Sequence, residues 1–241
     1  MRILIINPNT TAAMTQKVDA AARQVAAAGT EIISTNPDFG PASIEGYYDE
    51  AFSVPGLLAE IGKAPGMDAY IVACFDDTGL DAARCLARGP VVGIGEAAFH
   101  MASLIAGKFS VVTTLSRSIP AIEHNLVKYG LASRCARVRA SEVAVLNLEV
   151  PGSDARQRIS AEIGRAKSED RAEAIVLGCA GMADLAKALS REHGLPVVDG
   201  AAAAVKLCEG LVGLGLSTSK IGGYANPLPK VYSGAFKPFA P

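Results

Sequence analysis

Two short apolar runs end on a cysteine, Tyr70-Ile-Val-Ala-Cys74 and Ala174-Ile-Val-Leu-Gly-Cys179, and 105 residues separate the two thiols. A side chain at the carboxyl end of a buried strand stands where open α/β sheets bind their ligands. Two thiols facing one pocket can do acid-base chemistry at a carbon. One, as thiolate, removes a proton from one face, and the other, as thiol, delivers a proton to the opposite face. Such chemistry needs no metal and no cofactor, and none is expected. Three scattered histidines and the absence of a CxxC pair also offer no metal site. Cys85, Cys135 and Cys208 fall in helical stretches or at a strand start, and read as compact apolar side chains.

The surroundings of the two thiols act in opposite directions. A helix beginning just after each strand favours thiolate through its dipole and unpaired N–H groups. The Phe-Asp-Asp-Thr that follows Cys74 opposes it with two carboxyls, and Asp77 or Thr78 could cap the next helix. Around Cys179 the small residues Gly178, Ala180 and Gly181 would bring backbone N–H groups close enough to hold an enolate-like oxygen. Asn9, after the first apolar run, can donate to ring carbonyls, whereas Asn7, Thr10 and Thr11 also suit a turn. Thr113 and Thr114 end another apolar run at the same rim. Ser43 and Tyr48 lie in a Gly- and Pro-bounded segment that reads as a lid over the pocket, or as an exposed loop. Gly93-Ile-Gly-Glu-Ala-Ala matches GxGxxA, but it follows the fourth strand and lacks the acidic residue about 20 positions on that a dinucleotide site uses. A hinge explains its glycines better. His124 reads as an ordinary helix residue.

These residues need elements to hold them. Short β-branched runs alternate with alanine-rich stretches, the pattern of parallel strands buried on both faces and joined by helices. Strands are expected at Ile3–Ile6, Glu31–Ser34, Ala69–Ala73, Val91–Gly93, Phe109–Thr113, Cys135–Arg139, Ala174–Leu177 and Pro196–Val198. Helices are expected at Thr11–Ala28, Val54–Lys63, Thr78–Ala87, Glu96–Ala106, Ile119–Tyr129, Asp154–Lys167, Met182–Glu192 and Ala201–Leu214, with Gly29 and Gly130 at C-terminal caps. The repeated strand-cysteine-helix unit suggests two lobes of four strands each.

With 23 basic against 24 acidic residues among 241, the chain has no basic excess for binding nucleic acid phosphates. Half of it is hydrophobic, enough for a sizeable core, yet no apolar stretch reaches the length of a membrane span. The first residues lack the apolar core of a signal peptide, so a cytoplasmic location is expected. Only 5% of residues are aromatic, so the core must be aliphatic and alanine-rich.

Six stretches carry a family likeness: Ile6-Asn-Pro-Asn-Thr-Thr11, Gly40-Pro-Ala-Ser-Ile-Glu-Gly-Tyr-Tyr-Asp-Glu50, Ala73-Cys-Phe-Asp-Asp-Thr-Gly-Leu80, Gly93-Ile-Gly-Glu-Ala-Ala98, Val111-Val-Thr-Thr-Leu115 and Leu177-Gly-Cys-Ala-Gly-Met182. In them the chain resembles the aspartate/glutamate racemase superfamily, and within it the hydantoin racemase family. The resemblance implies an α/β fold of two similar lobes, each a four-stranded mainly parallel sheet flanked by helices, related by a pseudo-twofold axis. The first lobe would comprise residues 1–94 and 200–241, with the C-terminal helix returning to it, and the second residues 95–199. It further implies a cofactor-independent racemase that inverts C5 of monosubstituted hydantoins with Cys74 and Cys179, and a homo-oligomer. An allantoin racemase would read almost identically; amino-acid racemases, cis-trans isomerases and a two-lobed binding module are more distant alternatives. Amino-acid racemases of this superfamily resemble one another in an acidic residue after the first strand and a histidine beyond the second cysteine. Here Asn7, and Ala180 with Gly181, stand in those places, which favours a ring substrate whose proton is already acidified by a carbonyl and an acylated nitrogen.

Overall fold

The computed structural model describes residues 1–241 and contains eight strands and eight α-helices in strict alternation. The first sheet is built from β1 (Arg2–Ile6), β2 (Glu31–Thr35), β3 (Ala69–Val72) and β4 (Val91–Gly93), in the order β2-β1-β3-β4. The second contains β5 (Phe109–Thr113), β6 (Cys135–Ala140), β7 (Ala174–Gly178) and β8 (Val197–Val198), in the order β6-β5-β7-β8. Every pairing is parallel. The two orders are the same pattern repeated, so the duplication suggested by the cysteine runs extends to the whole topology.

The helices are α1 (Ala12–Val25), α2 (Tyr47–Lys63), α3 (Leu80–Leu86), α4 (Ile94–Ile105), α5 (Ile119–Lys128), α6 (Ala155–Glu169), α7 (Ala186–His193) and α8 (Gly200–Gly213). α8 starts firmly because both Asp199 carboxylate oxygens accept its first backbone N–H groups, from Ala201 and Ala202. It lies against β3, β4, α1 and α4, so the C-terminal helix does pack on the first sheet. Small residues allow this: Ala97, Ala98 and Ala102 of α4 and Ala201, Ala203 and Ala204 of α8 are all buried. A Cβ on Gly200 would collide with the Ile94 carbonyl, so glycine is what lets the two helix starts touch.

Twenty-nine buried residues form one core running through both lobes, while separate clusters fill the outer faces of the first and second sheets. Few as the aromatics are, three sit at the centre of the shared core: Phe99 meets Phe75 edge-on at 5.3 Å and stacks on Phe109 at 6.1 Å.

Four details differ from expectation. α2 begins at Tyr47, seven residues before the predicted start, and runs through Pro55. Tyr48 is therefore a helix residue, 75% exposed and packed on Phe52, rather than part of a loop. The stretch expected as one helix from Met182 divides into a 3-10 segment over Ala180–Leu185 followed by α7. α1 ends at Val25, so Gly29 (φ +87°) occupies the turn beyond it, whereas Gly130 (φ +73°) does follow the end of α5. Neither Asp77 nor Thr78 caps α3, which starts after Gly79 with no side-chain cap.

Candidate active site

In a sheet of order 2-1-3-4 the chain leaves β1 and β3 toward opposite edges, and the crevice between their carboxyl ends is the place for a ligand. Both lobes have this crevice, and the two meet. Asn9 follows β1, Cys74 follows β3, Thr113 and Thr114 end β5, and Cys179 follows β7; all five line one small cavity, part of it open to solvent. Gly178 and Ala180 line it as well. Two aliphatic side chains, Ile44 from the first lobe and Val145 from the second, belong to the same wall. Glu45, beside Ile44, accepts a hydrogen bond from the Val145 backbone N–H at 2.9 Å, so the two lobes are latched across the mouth. Lys17 reinforces this by donating to the Leu148 carbonyl at 2.9 Å and pairing with Glu149 at 3.0 Å.

The two cysteines are held alike. Each is extended beyond a third strand and receives the backbone N–H of the residue two positions on, Asp76 for Cys74 and Gly181 for Cys179. Burial raises both thiols above their ordinary range, Cys179 to about 12, and the negative charge of Asp76 pushes both further the same way. The Thr78 hydroxyl, 3.5 Å from the Cys74 sulfur, works against that rise.

Asn9 is oriented by its neighbours. Its side-chain oxygen accepts from Asn7 Nδ2 and from the Thr11 backbone N–H, both at 2.9 Å. Its Nδ2 has only the Met14 sulfur at 3.6 Å, leaving N–H groups available to a ligand. Asn7 is the buried anchor of this network and also donates to Thr15 Oγ1 at 3.1 Å. On the other lobe Thr113 Oγ1 donates to the Gly178 carbonyl at 2.9 Å, and a Cβ on Gly178 would lie 2.8 Å from the Thr113 Cβ. Glycine there lets the ends of β5 and β7 close up behind Cys179.

Five expected contacts do not line the cavity. Ser43 and Tyr48 stand aside while Ile44, next to Ser43, faces it. Thr78 reaches the Cys74 thiol but not the cavity wall. Gly181 is off the wall, its N–H favours the Cys179 thiolate, and a Cβ there would lie 2.9 Å from Leu148.

Asp77 is turned the other way. Its φ is +51°, and its carboxylate accepts N–H groups from Gly95 at 3.0 Å and Glu96 at 2.8 Å, capping α4, together with the Tyr129 hydroxyl at 2.8 Å. A Cβ on Gly93 would collide with that carboxylate, and one on Gly95 with the Phe75 carbonyl. The glycines of the GxGxxA match therefore make room for Asp77 and the cysteine loop.

Sequence reasoning missed Asp76, Ser118, Met14, Ile44 and Val145 as wall residues. The only available signal was for Asp76: two positions beyond Cys74, it corresponds by the lobe repeat to Gly181 beyond Cys179.

The comparisons with known proteins agree with this geometry. A family model described as Asp/Glu/Hydantoin racemase matches residues 3–208. A protein named hydantoin racemase from Rhizobium meliloti is 51% identical over 236 residues, 97% of this chain and 98% of that one. Another of that name from a Pseudomonas species is 45% identical over 241 residues, covering 99% and 97%. The solved structure of an allantoin racemase from Klebsiella pneumoniae superposes on 100% of this chain and 99% of its own, with a TM-score of 0.97 and 49% identity. A glutamate racemase from Francisella tularensis, 14% identical over 90% of this chain and 84% of its own at a TM-score of 0.66, shares the fold. A chain so matched along its length belongs to the Asp/Glu/hydantoin racemase family.

Proposed function

We propose that the protein racemises 5-monosubstituted hydantoins, with Cys74 and Cys179 as the two acid-base groups. The observation that carries this reading is the meeting of both thiols, each at the end of the third strand of its sheet, on one cavity lined by Asn9, Thr113 and Thr114. The thiolate takes the C5 proton: an S–H bond forms, the C5–H bond breaks, and the electron pair spreads onto the adjacent carbonyl oxygen. The other thiol then gives its proton to the opposite face of C5 and becomes the thiolate. Each cysteine is base for one enantiomer and acid for the other.

Racemisation in deuterated water tests this, because product inverted at C5 must carry solvent deuterium. Cys74→Ala and Cys179→Ala should each abolish racemisation, and wild-type rates in either variant would overturn the assignment. Allantoin, a hydantoin with a ureido group at C5, is the particular substrate favoured by the near-complete superposition on a structure named allantoin racemase. A polarimetric screen of alkyl, aryl and ureido hydantoins decides between the side chains.

Two further features bear on the working state. Proton transfer requires reduced thiols, so the protein works in a reducing compartment; no helix is long and apolar enough to cross a membrane. We also read the chain as self-associating. Beyond α8, Lys220 and Tyr224 dock on α3 and Thr218 on the Gly89 carbonyl just after it, but the stretch that follows exposes Leu228, Val231 (96%) and Phe236. An ordered apolar arm needs a partner surface. Deleting residues 226–241 should reduce the mass measured by light scattering after size-exclusion chromatography, and a wild-type monomer would refute the reading.

A further inference from the structure

Asp76 is the one carboxyl on the cavity wall, and no lysine, arginine or histidine shares that wall. Its backbone carbonyl accepts from Asn125 Nδ2 at 2.7 Å, yet its carboxyl oxygens have no hydrogen-bond or ion-pair partner in the protein. The groups whose charges reach it are all acidic. Glu50, from the first turn of α2, has a side-chain oxygen buried without a partner; Asp77 adjoins it in sequence; and Cys74 and Cys179 share its cavity. Burial first, and then the charges of Glu50 and Asp77, push the Asp76 carboxyl up to about 8. One of the two thiols must be a thiolate for the proposed reaction to run. A second negative charge beside it would find no basic side chain on the cavity wall to offset it, Lys17 acting on Cys179 from outside that wall.

The lobe repeat shows where this carboxyl stands. Asp76 and Gly181 occupy equivalent positions, each giving its N–H to the cysteine two residues before it. Around the approximate twofold the site is thus duplicated in its thiols, whereas the carboxyl two residues beyond the thiol is present in one lobe only. Two thiols serve a carbon that is attacked from either face. A single carboxyl suits something the substrate has only once, such as the carbonyl next to that carbon.

Resting on the proposed hydantoin chemistry, we infer that Asp76 enters the reaction as a neutral carboxylic acid and donates its O–H to the carbonyl oxygen adjacent to C5, where charge gathers as the C5 proton leaves. The proton stays on Asp76 throughout. The C5–H bond still breaks toward a thiolate, and the hydrogen bond to the oxygen simply strengthens as that oxygen becomes enolate-like. An acid held neutral by its surroundings is an effective donor to such an oxygen, because it brings no charge of its own into the pocket. The free N–H groups of Asn9 lie on the same cavity as a second donor.

Asp76→Asn and Asp76→Ala separate donation from its alternatives. Asn keeps an N–H donor at the same place and cannot titrate. The Ala variant should lose kcat by roughly 10²- to 10³-fold, the usual cost of one donor to a developing oxyanion, with KM changed by far less. The Asn variant should recover most of that loss, and the alkaline limb of the wild-type kcat/KM profile near pH 8 should disappear from it. Glu50→Gln, which leaves the cavity wall intact, should move the same limb to lower pH in an otherwise wild-type enzyme. An Asn variant as slow as the Ala variant, or an unmoved alkaline limb, would overturn the inference. Infrared difference spectra supply a readout that does not use activity. At pH 6.5 the wild type should show a protonated-carboxyl C=O stretch that Asp76→Asn lacks, and its absence from the wild type refutes a neutral Asp76. A wild type that racemises no hydantoin would instead sink the functional reading, and the infrared result would stand apart from it.

Discussion

Replacing Tyr129 by Phe should destabilise the protein, and by an amount that grows with pH. The phenol donates to Asp77 at 2.8 Å, and Asp77 is the residue that ties the loop carrying Cys74 to the start of α4. Burial lifts the folded Asp77 carboxyl from 3.8 to about 7, against hydrogen bonds from Tyr129, Glu96 and Gly95 that favour its ionised form. Burial and the Asp77 charge raise the Tyr129 hydroxyl, so it remains a donor throughout the working range. Between pH 4 and 7 the unfolded chain has already released a proton that the folded chain keeps, so this group's contribution to stability falls across that window and levels off above it. Removing the phenol withdraws support from the ionised form, moves the folded carboxyl still higher and extends the decline beyond pH 7. At pH 5 the lost bond joins two neutral groups and is worth about 1 kcal/mol, whereas at pH 8.5 it ends on a carboxylate and is worth about 1.5–3 kcal/mol. For a chain of this size 1 kcal/mol moves Tm by about 2–4 °C, so the variant should melt about 2–4 °C low at pH 5 and about 3–12 °C low at pH 8.5. Calorimetric melts of both proteins at the two pH values measure this. A deficit that is equal at the two, or larger at pH 5, would show that Asp77 is not the titrating partner of Tyr129.

Two other substitutions probe the second lobe. Gly178→Ala would place a methyl group 2.8 Å from the Thr113 Cβ and 2.9 Å from its Cα, so β5 and β7 must part. A loss of about 1–3 kcal/mol is expected, with a fall in kcat from displacement of the adjoining Cys179, and denaturant unfolding beside steady-state kinetics would show a site indifferent to that spacing if neither changed. Arg139→Met removes the guanidinium that forks onto Asp170 at 2.6 Å and reaches Glu169 at 2.8 Å. Asp170 is then left buried without its main counter-charge, and a loss of about 3–5 kcal/mol should follow at neutral pH. Arg139 holds Asp170 below the usual carboxylate range, so the stability it provides is present at neutral pH and lost as acid protonates Asp170; the variant and wild type should converge in acid urea titrations.

The sequence announced the fold because parallel strands buried on both faces leave unbroken β-branched runs. Each of the eight predicted runs overlaps an observed strand, including two-residue β8. α2 is longer than its expected start at Val54 because the helix begins seven residues earlier and continues through Pro55, with Leu57 and Ile61 packed into the core. At the site, the two cysteines, Asn9, Thr113 and Thr114 were legible because residues at the ends of strands are placed by the sheet itself. Ile44 and Val145 were not, since they come from loops whose meeting depends on the Glu45 latch across 100 residues of chain. Asp77 was misplaced for a related reason. Sequence proximity to α3 suggested a cap there, but a positive φ at Asp77 and two glycines at 93 and 95 let it reach a different helix.

The raised thiols pose the remaining question, since burial favours neutral sulfur and proton abstraction needs a thiolate. Within the proposed mechanism the two conditions are compatible only if the cavity carries a single negative charge. Asp76 lies close enough to raise both cysteines when ionised, so its charge would work against the thiolate on either side. Protonated, it removes that penalty and leaves the influences that favour thiolate, the Thr78 hydroxyl and the Asp76 N–H at Cys74 and the Gly181 N–H and the Lys17 charge at Cys179, with less to oppose them. The same proton that makes Asp76 a donor to the substrate therefore permits its neighbour to be a base. An enzyme built this way gains little from more alkaline solution, because the pH that would create thiolate also ionises Asp76, and its rate should pass through a maximum below the point where either thiol alone would titrate.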